Sequence, residues 1–148
     1  MPERLQVVFD TNVLIPMIIP ASQSARLLLR LHQAGHRVVT SPQIIREARE
    51  KMLTKERLRQ WLGVADQEIE RFLDRLPTVC YVVPGVRQAH GAVPADPKDD
   101  MIVAAALESR ADYIVSEDKH LLELGQYQGI KIMNREQFGA ELDRLGVP

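Results

Sequence analysis

The stretch VVFDTNVL, residues 7–14, runs apolar to Phe9, turns polar at Asp10, Thr11 and Asn12, and then resumes its apolar course. Leu5 to Phe9 is short and valine-rich, which predicts a strand buried on both faces, because covered strands read as runs and not as alternation. Asp10 follows directly, so its carboxylate belongs at the carboxyl edge of a sheet, where ligands gather in open α/β folds. Thr11 and Asn12 also suit a plain Asx-type turn. The rest of the chain decides between a turn and a site.

Moving outward, Ser24 to Ala34 reads as a helix with Leu27, Leu28 and Leu31 inward and Gly35 closing it. Arg37 to Thr40 is the next strand. Ser41 and Pro42 then open a helix that carries Ile44, Ile45, Ala48 and Met52 at helical spacing. Lys55 to Leu62 and Asp66 to Leu76 are two charged amphipathic helices, and Val79 to Val83 is a strand ended by Pro84. A loop from Gly85 to Ala95 leads to an alanine-rich helix, Pro97 to Arg110. After it come a strand, Tyr113 to Val115, a short helix, Lys119 to Leu124, a strand, Ile130 to Met133, and a helix, Glu136 to Leu145. Strands alternating with helices predict an α/β fold of three α/β/α layers around a central, mainly parallel sheet. Residues 1–148 are expected to form one domain. PMIIP, Pro16 to Pro20, is expected as an apolar loop beyond Asn12 and a candidate dimer or partner contact.

With 148 residues and 45% hydrophobic composition, the chain can bury one sizeable core. A single cysteine, Cys80, rules out an intramolecular disulfide, and no Cys/His cluster offers a zinc site. The first apolar segment is too brief and too interrupted for a signal sequence or a membrane span. These features point to the cytoplasm and away from membranes. The net charge of −1 hides an asymmetry: Ala21 to Leu62 holds nine Lys/Arg against three Asp/Glu, and Gly63 to Pro148 nine against fifteen. Such a split suits either a polyanion held over an acidic site or ordinary solvated faces.

The acids carry the chemistry. Glu47 borders the buried stripe of its helix at about 100° per residue, whereas Arg46 and Arg49 point farther outward. In DPKDD, residues 96–100, Asp96 is the natural N-cap before Pro97, which leaves Asp99 and Asp100 in the first turn. In YIVSED, residues 113–118, another strand is followed at its carboxyl end by Ser116, Glu117 and Asp118. Capping explains any one of these acids. Asp10, Asp99 and Asp118 nevertheless fall on one rim of one sheet, with Glu47 in reach. Two carboxylates about 4 Å apart repel by roughly 4 kcal/mol at an effective dielectric near 20, so such a site needs a cation or a proton. An all-oxygen set with no thiolate suits Mg²⁺ or Mn²⁺, and ions of this kind promote phosphodiester hydrolysis. No GxxxxGK[ST], GxGxxG or GxSxG motif competes.

FDTNVL, SPQIIREA, DPKDDMIVAAAL and IVSEDKHLL, in this order and spacing, resemble the PIN-domain family over nearly the whole chain. The resemblance implies a compact α/β fold and a metal-dependent ribonuclease, of the size of the toxins of toxin–antitoxin pairs. It implies an acidic site of Asp10, Glu47, Asp99 and Asp118 holding Mg²⁺ or Mn²⁺, with Thr11, Asn12 and Ser116 as supporting polar groups. The family's third acid precedes an alanine by seven residues, as Asp99 precedes Ala106; Asp100, one residue on, is a further ligand candidate. Ser116 stands where many relatives carry threonine and keeps the hydroxyl. RNA is the implied substrate, an antitoxin protein the implied partner and a homodimer the implied assembly. Arg26, Arg30, Arg46 and Arg49 are candidates for the RNA backbone, while Trp61, Tyr81 and the four histidines read as packing or surface residues. The alternatives are a haloacid dehalogenase-like phosphatase, which expects an aspartate where Asn12 stands, and a PIN module that binds RNA without cutting it.

Overall fold

A computed structural model describes residues 4–148. β1 (Gln6–Phe9) ends at Asp10, whose carboxylate caps a single helical turn, α1 (Thr11–Leu14). The chain continues through a 3-10 turn, Ile15–Ile18, into α2 (Gln23–Gln33), β2 (Arg37–Thr40) and α3 (Pro42–Thr54). Two more helices, α4 (Glu56–Leu62) and α5 (Asp66–Val79), precede a two-residue strand, β3 (Tyr81–Val82). A long loop and a 3-10 turn, Pro97–Asp99, open α6 (Asp100–Ser109). β4 (Tyr113–Val115), α7 (Lys119–Leu124), β5 (Gln126–Tyr127), β6 (Ile130–Met133) and α8 (Arg135–Arg144) complete the described chain.

The six strands form one sheet in the order β3-β2-β1-β4-β6-β5, parallel throughout except for β5 against β6. Helices flank it, α6 lying along β1, β2 and β4 while α2 and α8 pack on each other and reach β2 and β6. The core is centred on Val7, Val8 and Phe9 of β1, with Ile102, Val103 and Ala106 of α6 and Leu31, Phe138 and Leu142 of α2 and α8, all fully buried. From β1 the chain builds outward through β2 to β3 and then returns to lay β4 on the other side of β1. The strand order therefore reverses between β1 and β4. Phe9 pairs with Val115 there, and Asp10 N–H donates to the Val115 carbonyl at 2.9 Å. Asp10 and Ser116 thus leave the sheet side by side at its switch point, the place such folds reserve for ligands.

Three expectations are corrected. Pro16 to Pro20 is not a free loop: its first half is helical, Met17 is buried, and Ile18 and Ile19 pack on the core. Pro16 sits early in the 3-10 turn, where its missing N–H costs nothing. The strand expected over Val79 to Val83 shrinks to Tyr81–Val82, because α5 runs through Pro77 to Val79. The helix passes Pro77 by only two residues, and Thr78 Oγ1 and Cys80 N–H satisfy the Arg75 and Leu76 carbonyls. β5 and its hairpin to β6 are additional; Gln128 and Gly129 make the two-residue turn, both at positive φ.

Candidate active site

Asp10 is the anchor of the site. It is 3% exposed, and both oxygens are engaged: Thr11 N–H donates to Oδ1 at 2.7 Å and Ser116 Oγ–H to Oδ2 at 2.6 Å. Burial pushes its carboxyl above the ordinary range despite these bonds and the nearby Lys51 ammonium, with Glu47 adding to the rise. Ser116, fully buried, also accepts the Asp118 N–H at 2.9 Å, so one hydroxyl ties the first acid to the backbone of the last. Asn12 Oδ1 accepts the Glu117 N–H at 3.2 Å and links the same two turns from the side. Thr11 is buried, and its Oγ1 receives Lys51 Nζ at 3.2 Å.

Asp99 lies at the hinge between the 3-10 turn and α6. It is 8% exposed, and its Oδ2 is buried with no hydrogen-bond partner among the described residues. Carboxylate oxygens of Asp96, Asp99 and Asp118 lie within 4.8 Å of one another. Burial, together with the charges of Asp10, Asp118, Asp96 and Glu47, raises the Asp99 carboxyl to about 7. The charges of Asp10, Asp118 and Glu47, the other acids singled out from the sequence, are thus all felt at Asp99. Glu47 sits half-buried on α3, with Lys51 Nζ 3.6 Å from its Oε1 one helical turn on.

Asp100 points elsewhere. Its two oxygens accept the Gly91 and Val93 N–H groups at 2.9 and 2.8 Å, which staples the long loop to the start of α6. Two residues join the site that the sequence reading placed outside it. Asp96 caps the turn through the Lys98 N–H, as expected, and still presents its carboxylate to Asp99 and Asp118. Lys51 brings a cation to the rim; the Glu47–Lys51 spacing of four was its visible signal. Of the arginines, Arg30 is held by Asp143 and the Val147 and Pro148 carbonyls, Arg49 pairs with Glu70, and Arg26 bonds the Ala21 carbonyl. Arg46 is exposed and makes no ion pair among the described residues.

A profile of the PIN domain matches residues 6–120, more than three quarters of the chain and every acid of the cluster. The chain belongs to the PIN-domain family. No curated protein sequence matches it. Among solved structures, VapBC2 from Rickettsia felis, bound to a DNA fragment from its promoter, superposes with a TM-score of 0.63 at 12% identity, over 88% of this chain and 98% of that one. PAE2754 from Pyrobaculum aerophilum gives 0.59 at 16% identity, covering 95% and 90%. The PIN domain of RRP44 from T. brucei gives 0.52 at 18%, covering 97% and 83%. At such identities the likeness is one of fold. The family, a nuclease family, gives the acidic rim of this PIN domain its chemical context.

The donor set fits a hard divalent cation. An acid-only cluster with an unpartnered buried oxygen provides charge and lone pairs for Mg²⁺ or Mn²⁺ and no soft ligand for zinc. No histidine joins the cluster among the described residues, and buried His36 uses its Nδ1 to accept the Leu5 N–H. No single helix among the described residues is long and apolar enough to cross a membrane.

Proposed function

We propose that this PIN domain is a divalent-metal-dependent endoribonuclease that hydrolyses RNA phosphodiester bonds and serves as the toxin of a toxin–antitoxin pair. The observation that carries the reading is Asp99, whose Oδ2 is buried without a partner among the described residues and whose carboxylate lies within 4.8 Å of those of Asp96 and Asp118, an arrangement whose charge calls for a cation. Asp99 and Asp118, with Asp96, are the residues to hold Mg²⁺ or Mn²⁺. When bound, such an ion neutralises the acids, polarises the phosphodiester and makes water a better nucleophile. Asp10, fixed by Ser116 and Thr11, completes the rim and keeps the β1 and β4 ends in register. Glu47 orients the attacking water and receives its proton. Lys51, bonded to Thr11 and close to Glu47, sets the position of that glutamate.

The toxin role and an antitoxin partner rest on the likeness to VapBC2 and on chain size. The reading treats the chain as one nuclease domain that acts in the cytoplasm as a homodimer; a monomer at both of two loading concentrations in size-exclusion chromatography would remove the dimer. The phosphatase alternative has lost its support, because the chain is a PIN domain and Asn12 stands where that mechanism needs an acid. The test is cleavage of labelled single-stranded RNA with and without Mn²⁺, beside Asp10→Asn. Metal-dependent cleavage that the substitution abolishes is expected. Cleavage indifferent to both, or none at all, would overturn the reading, and RNA binding without cleavage would favour the non-catalytic module.

A further inference from the structure

Beside the acidic rim lies a cavity of about 350 Å³, toward the lower end of the size range of ligand pockets. Ile15 and Leu58 provide apolar wall, Trp61 stands over it from α4, and Lys51 and Arg135 line it with positive charge. Trp61 is 61% exposed, whereas its neighbour Leu62 is buried, so the indole is presented to solvent and is not part of the core. Arg135 is braced: its Nε donates to Glu117 at 3.3 Å and its Nη1 to Ser24 at 3.3 Å, which leaves Nη2 without a hydrogen-bond partner among the described residues. Asn12 and Lys51 line the cavity and also bond the turns that carry the acids, through the Glu117 N–H and Thr11 Oγ1, so the cavity borders the acidic rim.

We infer that this cavity is the subsite for an unpaired nucleobase next to the scissile phosphate, with Trp61 as its stacking platform and Lys51 and Arg135 receiving the adjoining phosphate. The inference rests on the nuclease reading and extends it to how substrate is held. A flat aromatic face accepts any base, and flanking cations follow the backbone, the combination that single-strand binders use. The charge decides the occupant. Lys51 and Arg135 each face one carboxylate, Glu47 and Glu117, yet an apolar peptide side chain would fill the slot and use neither Lys51 Nζ nor the free Arg135 Nη2, whereas a nucleotide gives its base to the apolar wall and its phosphate to these donors. A slot of this kind admits a splayed base and rejects a duplex, in which bases are stacked on one another.

Trp61 is the only tryptophan in the chain, so its fluorescence reports directly on this position. The probe is a 2′-O-methyl oligonucleotide, single-stranded and resistant to cleavage, titrated into the full chain, with the matching duplex as control. Saturable quenching by the single strand, absent with the duplex, is expected. In parallel, Trp61→Ala should weaken binding and raise KM for a cleavable strand roughly fivefold to a hundredfold, with kcat little changed, and Trp61→Phe should restore most of the loss. Quenching without any cleavage would sustain the subsite and sink the nuclease reading. Cleavage with an unquenched Trp61 and an unaffected Trp61→Ala would sink the subsite and leave the nuclease, as would quenching by a partner protein but not by RNA.

Discussion

Asp99 is a carboxylate held where its charge is poorly tolerated. Its carboxyl sits at about 7 in the folded chain, against about 3.9 in an unfolded one, so the fold holds a proton that the unfolded chain releases between those values. Without divalent ions, stability should fall as pH rises from about 4 to about 7. Thermal melts in chelator at pH 5 and pH 8 check this: the protein should melt higher at pH 5, and Asp99→Asn should narrow the gap by raising the melting temperature at pH 8. Asp10 is shifted in the same direction, by burial. Ser116→Ala removes the 2.6 Å bond to Asp10 and the acceptor for Asp118 N–H, and should cost about 1–3 kcal/mol in denaturant unfolding together with most of the cleavage rate, whereas Ser116→Thr should keep both. The positions of Asp10, Glu47, Asp99 and Asp118 were legible because strand ends and helical spacing are local properties. Which of Asp99 and Asp100 faces the cluster was not, since that depends on a loop some ten residues upstream whose N–H groups claim Asp100.

That loop makes the distinction testable among the elements. Asp100→Asn weakens two charge-assisted bonds to Gly91 and Val93 and should loosen the loop, seen as faster amide exchange over residues 85–95, while leaving Mn²⁺ affinity within a few-fold. Asp99→Asn should do the reverse. Gly85 is the loop's other fixed point: at φ +80, it donates to Glu108 of α6 and accepts from Gln43 of α3, and a Cβ there would come within 2.5 Å of Gln43 Oε1. Gly85→Ala should therefore destabilise by about 1–2 kcal/mol in chemical denaturation. The alternation of strands and helices was readable from apolar runs and caps. The end of α5 and the β5 hairpin were not. Pro77 reads as a helix stop although only two residues follow it, and Gln126–Tyr127 is too short to show a period of two. Trp61 reads from the sequence as a surface or packing residue because nothing in α4 says that Lys51 and Arg135, from α3 and α8, meet beside it.

For the whole molecule, the sheet places a set of acids at its switch point and leaves the folded state with an unmatched concentration of negative charge. A cation that binds only the folded chain stabilises it by mass action, about 2.7 kcal/mol at a hundred times Kd. For a chain of this length that is a rise of roughly 5 to 10 °C in Tm with Mn²⁺. The most direct test is calorimetric titration of Mn²⁺ at pH 6.5 in two buffers of different ionisation enthalpy, on the wild-type chain and on Asp99→Asn. Binding with release of about one proton, lost in the variant, is expected. Absence of binding heat in both buffers, or identical binding and proton release in Asp99→Asn, would contradict a cation site built on these acids.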